Sequence, residues 1–182
     1  MTLGDRVRAF LHPPAAGLDL DPDERRAVEA LARWVAREHV AAKRSPTIDP
    51  TAWISPLASL RFTERVEIAA KATIGPYCCV WGGWSRTWTR VGAEALLSPG
   101  VVLVAGNHVT HGPGPVRDLG FEELDVEVAA GAWVGAHAVV VGKRVGVGAV
   151  VAANSVVLDD VEDYAIVAGS PARVVGHRTG VT

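Results

Sequence analysis

A parallel β-helix is the fold class this sequence predicts, and three observations predict it. From Ser45 onward aliphatic residues recur every six positions, a small residue often follows the aliphatic one, and glycine reaches 19 of 182 residues while aromatics stay at 6%. A period of six matches neither the 3.6 of a helix nor the 2 of a simple strand. It does match one flat face of a triangular prism, where one aliphatic side chain points inward, a small residue follows and the chain turns a corner. Three such units make a coil of about 18 residues, and coils stacked at ~4.8 Å bury the aliphatics in continuous ladders.

Residues 1–44 stand outside this pattern. Asp21-Pro22-Asp23-Glu24 supplies an N-cap aspartate, a proline at the first helical position and an acid in the first turn. Val28, Leu31, Trp34 and Val35 then recur at helical spacing, so one amphipathic helix is expected over residues 22–43. The hexads follow as Ile48, Ile54 and Leu60, then Ile68, Ile74 and Val80, then Val91, Leu97 and Leu103. They resume with Val128, Val134 and Val140, and after a five-residue step with Val145, Val151 and Val157. The small followers are Gly75, Gly92, Ala129, Gly135, Gly146 and Ala152. Residues 45–163 have room for six or seven coils of a solenoid, whose repeats bury their apolar face only by stacking. Residues 164–182 remain as a short C-terminal tail or helix.

The beat fails in two places. Residues 81–90 read WGGWSRTWTR, and residues 105–125 read AGNHVTHGPGPVRDLGFEELD, too rich in Gly, Pro and polar residues to be coil. A loop of the second length in a compact solenoid is expected to carry function.

Composition excludes several classes. With 49% hydrophobic and 21% charged residues the chain has enough apolar surface to fold, yet no apolar run reaches the ~18 residues of a membrane span. Net charge is −2 and the basic residues are scattered, which argues against a nucleic-acid or anionic-membrane surface. The start, MTLGDRVRAFLHPP, lacks the apolar stretch and cleavage site of a secretory signal. Cys78 and Cys79 are the only cysteines, and adjacent residues make a poor disulfide. A cytoplasmic location is therefore expected.

Three segments in order carry a resemblance to a known family. Leu96-Leu97-Ser98-Pro99-Gly100-Val101 leads into Gly106-Asn107-His108; residues 126–137 read VEVAAGAWVGAH; and residues 164–175 read YAIVAGSPARVV. Together with the hexads they resemble the hexapeptide-repeat acyltransferases, and within them the maltose, galactoside and sugar O-acetyltransferase branch, over residues 45–178. The resemblance implies a left-handed prism, an exception to the right-handed crossover rule. It also implies a homotrimer, with acetyl-CoA in the groove between neighbouring prisms.

An acetyl transfer from a thioester to a hydroxyl needs a base, donors for the oxyanion and alignment of both substrates. The resemblance makes His108 the base. Arg117-x-x-Gly120-x-Glu122 is similar to the family loop whose glutamate approaches that histidine, with Glu123 in reserve. It places Trp133, Ala136, Ala153 and Arg173 along the cofactor, Arg173 near its phosphates. Where the family often has a serine donor this chain has Ala136, leaving a backbone N–H as the expected oxyanion contact. Acceptor binding falls to Trp81, Trp84, Arg86 and Asn107. The stretch with Trp81, Trp84 and Trp88 departs most from the branch, which carries polar residues there; its indoles can stack on a ring or seal a trimer interface.

Three other readings complete the expectations. His108, His111 and His137 make a histidine triple, as in the zinc-binding γ-class carbonic anhydrases. The matching ligand positions here are Ala136 and Val141, so no metal is expected and His137 reads as an outward coil residue. The alternatives to O-acetylation are N-acetylation of an amino sugar or amino acid, or a non-catalytic binding scaffold.

Overall fold

In the computed structural model the described residues are 21–36 and 42–180. The chain divides into two units, with the break between Val35 and Ala36, and each is described by itself.

The first unit contains helix α1, Pro22–Val35. Asp21 caps it: its Oδ1 accepts the N–H groups of Asp23 and Glu24 at 2.7 and 2.9 Å, while Glu24 Oε2 accepts the Asp21 N–H at 3.0 Å. That reciprocal exchange satisfies donors the first turn would leave unpaired. Of the helix expected over 22–43, residues 37–41 lie outside the described residues, and residues 42–44 form a short 3₁₀ turn.

The second unit is built from three parallel sheets that the chain visits in rotation. The first sheet holds β1 (Trp53–Ile54), β4 (Thr73–Ile74), β7 (Leu96–Leu97), β12 (Trp133–Val134), β15 (Val150–Val151) and β17 (Ala165–Gly169). The second holds β2 (Ser59–Arg61), β5 (Cys79–Trp81), β8 (Val102–Val104), β13 (Val139–Val141) and β16 (Val156–Val157). The third holds β3 (Val66–Ile68), β6 (Thr89–Val91), β11 (Val126–Val128) and β14 (Arg144–Val145).

The six-residue beat is what holds these sheets together. In the second sheet Leu60, Val80, Leu103, Val140 and Val157 are consecutive register partners. In the first, Ile54, Ile74, Leu97, Val134, Val151 and Val167 are. In the third, Ile48, Ile68, Val91, Val128, Val145 and Val161 are. Every hexad aliphatic from Leu60 to Val157 is buried to 1% exposure or less. At 1.5–3 kcal/mol per fully buried aliphatic, these ladders are the main favourable term in the fold. The small followers are forced by the corners. A Cβ on Gly135 would come within 2.6 Å of the Ala153 nitrogen one rung away, closer than real Cβ atoms approach backbone.

Two expectations need correction. Five complete circuits are present rather than six or seven, because residues 82–88 and 105–125 are inserted between strands and add no rung. The C-terminal segment is not a helix: β17 pairs antiparallel with β18 (Ala172–His177) across a turn at Ser170-Pro171. Both strands are rich in β-branched valine and isoleucine, which favour extended backbone.

Candidate active site

Both insertions leave from the same corner, between the second and third sheets, on successive circuits. Residues 82–88 join β5 to β6, and residues 105–125 join β8 to β11. The second insertion folds back on itself as a hairpin of β9 (Gly106–His108) and β10 (Phe121–Glu123). Antiparallel register sets His108 opposite Phe121, Asn107 opposite Glu122 and Gly106 opposite Glu123. Gly106 is required there, since a Cβ would come within 2.7 Å of the Glu122 carbonyl.

Together with residues 61–62 on the preceding circuit, the insertions enclose a cleft of about 600 Å³. Phe62, Trp81, Trp84 and Phe121 give it apolar walls, and His108, Arg61, Arg117 and Glu123 give it polar groups. The His108 ring meets Phe121 edge-on, with centroids 5.3 Å apart and planes at 86°. Trp84 rests on Phe62 at 5.7 Å. The Arg61 guanidinium lies over the Trp81 indole, 4.8 Å from its centroid, a cation–π contact.

Glu123 ties the two insertions together. Its carboxylate accepts the N–H groups of Ser85, Arg86 and Thr87 and the hydroxyls of Ser85 and Thr87, at 2.8–3.4 Å. The backbone donors of Arg86 and Ser85 stabilise the ionised form and hold its pKa down at about 2. From the other side, Arg65 Nε donates to the Gly83 carbonyl at 2.6 Å, and an Arg65 terminal nitrogen donates to the Trp84 carbonyl at 2.8 Å. Asp125 Oδ1 accepts the Trp88 N–H at 2.7 Å. Gly82 and Gly83 permit this packing, because a Cβ on Gly82 would meet the Phe62 carbonyl at 2.6 Å and one on Gly83 would collide with the Thr87 hydroxyl.

The expected site residues separate into two groups. Trp81, Trp84 and His108 converge on the cleft. Glu122 does not face the histidine as expected: successive hairpin residues point to opposite faces, and Glu122 shares the far face with Asn107. Glu123, held in reserve, is on the His108 face, but its oxygens are engaged by residues 85–87. Asn107 Oδ1 accepts the backbone N–H of His108 at 2.9 Å, and Asn107 does not line the cleft. Arg86 is exposed and serves Glu123 through its backbone. The anchoring roles of Arg65, Glu123 and Asp125 had no sequence signal beyond the two acids closing the loop.

Trp133, Ala136, Ala153 and Arg173 lie elsewhere. Trp133 is half exposed on the first sheet, its Nε1–H donating to Ser98 Oγ at 2.9 Å. Ala136 and Ala153 follow β12 and β15 at equivalent corner positions on adjacent rungs. Arg173, on β18, donates to Asp159 Oδ2 at 3.3 Å. None of the four lines the His108 cleft. His137 sits exposed beside Gly100 in a left-handed turn, φ 58°, and His111 lies exposed in the second insertion. Among the described residues no three His, Cys, Asp or Glu side chains converge as a metal would need, and no helix is long and apolar enough to cross a membrane.

No family model matches the chain. It is 23% identical over 141 residues to the galactoside O-acetyltransferase of Escherichia coli strain K12, a match covering 76% of this chain and 67% of that enzyme. Among solved structures, it is similar to the hexapeptide-repeat-containing acetyltransferase VCA0836 of Vibrio cholerae complexed with acetyl coenzyme A. That likeness has a TM-score of 0.66 and 20% identity, and covers 83% of this chain and 88% of that one. It is also similar to AntD, an N-acyltransferase of Bacillus cereus, with a TM-score of 0.58 and 20% identity over 69% of this chain and 79% of that one.

Proposed function

We propose, from the premise that this chain is a relative of the hexapeptide-repeat acetyltransferases, that it moves an acetyl group from acetyl-CoA to a hydroxyl of a small, sugar-like acceptor. The observation that carries the reading is a histidine on an inserted hairpin, facing an aromatic cleft large enough for a small molecule. His108 is the general base. Its neutral imidazole takes the acceptor's proton as the new C–O bond forms at the thioester carbonyl. The C–S bond then breaks, and the proton passes to sulfur to give the free thiol. A thioester is already activated, so no protein nucleophile is needed.

The fold is read as a left-handed β-helix, with residues 1–44 as an appendage, and the working unit as a cytoplasmic homotrimer. Support for the trimer comes from the separation of the two residue groups. Trp133, Ala136 and Ala153 lie on the first sheet and the corner that follows it, whereas the cleft lies at the corner between the second and third sheets. One copy's Trp133, Ala136, Ala153 and Arg173 would then hold acetyl-CoA against another copy's His108. Sedimentation should give a mass near three times 19.1 kDa, and a monomer with full CoA affinity would refute the shared site.

N-acylation is the second reading, supported by the likeness to AntD; the same base can take a proton from an amine. Thiol release from acetyl-CoA, measured against matched hydroxyl and amine acceptors, tests both. Release with hydroxyl acceptors supports the first reading, release with amines alone the second, and release with neither rejects acyl transfer.

A further inference from the structure

The backbone of Trp84 is held on both sides. The peptide plane before it, Gly83–Trp84, gives its carbonyl to Arg65 Nε at 2.6 Å. The plane after it, Trp84–Ser85, gives its carbonyl to an Arg65 terminal nitrogen at 2.8 Å and its N–H to the two Glu123 oxygens at 2.9 and 3.0 Å. Peptide units are planar, so φ and ψ of Trp84 are the only soft angles between these planes. Fixing both planes fixes both angles, and with them the direction of the Trp84 Cα–Cβ bond. The Gly83 N–H closes the loop on the Thr87 carbonyl at 3.0 Å.

Arg65 is bonded to both planes, yet it does not line the cleft. It ends the short 3₁₀ turn Thr63–Arg65 on the preceding circuit, its side chain 19% exposed, and Glu64 Oε1 accepts from the same terminal nitrogen at 2.7 Å. Phe62, which precedes that turn, meets the Trp84 ring at 5.7 Å, so ring and backbone are braced from one corner. A guanidinium suits this place because its rigid planar fork reaches two carbonyls at once, where a lysine offers a single point charge on a flexible stem. The residue so fixed lines the cleft and is 70% exposed. Holding an exposed ring still gains little burial; it lowers the ordering cost when a ligand stacks on that ring.

We infer that Arg65 is a positioning residue for the acceptor: from outside the cleft it holds the Trp84 indole in place as a preorganised stacking face. The acceptor's part in this rests on the acyltransfer reading above, and the fixing of Trp84 does not. Arg65 acts only through Trp84, so its contribution should vanish when the indole is absent.

A double-mutant cycle on the full chain tests this, with near-ultraviolet circular dichroism as a readout that needs no reaction. The part of the spectrum that Trp84→Ala removes is the Trp84 signal. Arg65→Gln should lose more than about half of it, Arg65→Lys less, and Arg65→Gln should change nothing further once Trp84 is alanine. Thiol release with glucose or glucosamine as acceptor gives the second readout. Arg65→Gln should raise the acceptor KM about fivefold or more, with kcat and the acetyl-CoA KM within about twofold of wild type; in the Trp84→Ala background the acceptor KM should not move. The thermal midpoint identifies a variant that fails to fold. Where Arg65→Gln fails, Arg65→Lys decides, a partial loss of the signal supporting the inference and full retention overturning it. A Trp84 signal that survives in folded Arg65→Gln, an unchanged acceptor KM, or a KM change as large without the indole as with it would also overturn it. If the wild type releases thiol with neither acceptor, the acyltransfer reading falls, and the dichroism alone upholds or overturns the positioning.

Discussion

The stacked body and the two insertions of this chain are held together by different forces. In the body, one aliphatic per hexad is buried on a ladder of its own kind, and each rung repeats the last. In the insertions little is buried. Glu123, Asp125 and Arg65 instead bind backbone groups of residues 83–88, across separations of 18 to 38 positions. The body depends on the non-directional burial of apolar area, and the insertions on a few directional bonds. The difference gathers polar groups where the repeat is interrupted. A uniform ladder offers only equivalent corners, whereas the interruptions set an imidazole, a guanidinium and indoles around one cleft.

Variants in the two regions should therefore fail differently. The largest effect is expected in the body. Leu103 is fully buried between Val80 and Val140 on adjacent rungs, so Leu103→Ala should cost about 2–5 kcal/mol of stability, read by denaturant unfolding. Activity per folded molecule should hardly change.

Glu123 should show the converse behaviour. Its folded pKa of about 2 lies below the ordinary glutamate value, so its contribution is complete above about pH 4.5 and is lost as pH falls toward 2. Binding in the cleft should weaken over that window while the body stays folded. Glu123→Gln should weaken binding already at neutral pH and flatten the acid dependence. Ligand titration from pH 6 to 3, with circular dichroism as the control for the body, checks both.

Trp84→Ala comes next. Removing an exposed stacking surface should raise the acceptor KM roughly tenfold, the scale of 1–3 kcal/mol for one aromatic. The acetyl-CoA KM and the mass should stay unchanged; a lowered mass with normal acceptor KM would assign the indole to an interface between copies instead. His137→Asn should have the smallest effect. The residue is exposed and asparagine tolerates its left-handed backbone, φ 58°, so stability should move by at most about 0.5 kcal/mol and turnover should hold.

The same contrast explains what the sequence disclosed. The hexads identify the ladder residues because burial and period coincide, from Leu60 through Val157. The interruptions mark the cleft by position, and Trp81, Trp84 and His108 do meet there. That Glu122 turns away from His108 was not legible, because a one-residue change in hairpin register exchanges the faces of Glu122 and Glu123. That register is set by a turn and by Glu123's bonds to residues 85–87, nearly forty positions away. The C-terminal strands were legible in principle: Ile166-Val167 and Val174-Val175 flank a Gly-Ser-Pro turn, the signature of a hairpin rather than a helix.

The central claim is that the imidazole on the inserted hairpin is the base, and that the body is only its support. Thiol release from acetyl-CoA by His108→Ala, with the thermal midpoint measured on the same preparation, tests it most directly. The account predicts kcat lower by about 10²–10⁴-fold, with acetyl-CoA affinity and midpoint unchanged. A variant that turns over at the wild-type rate would contradict it.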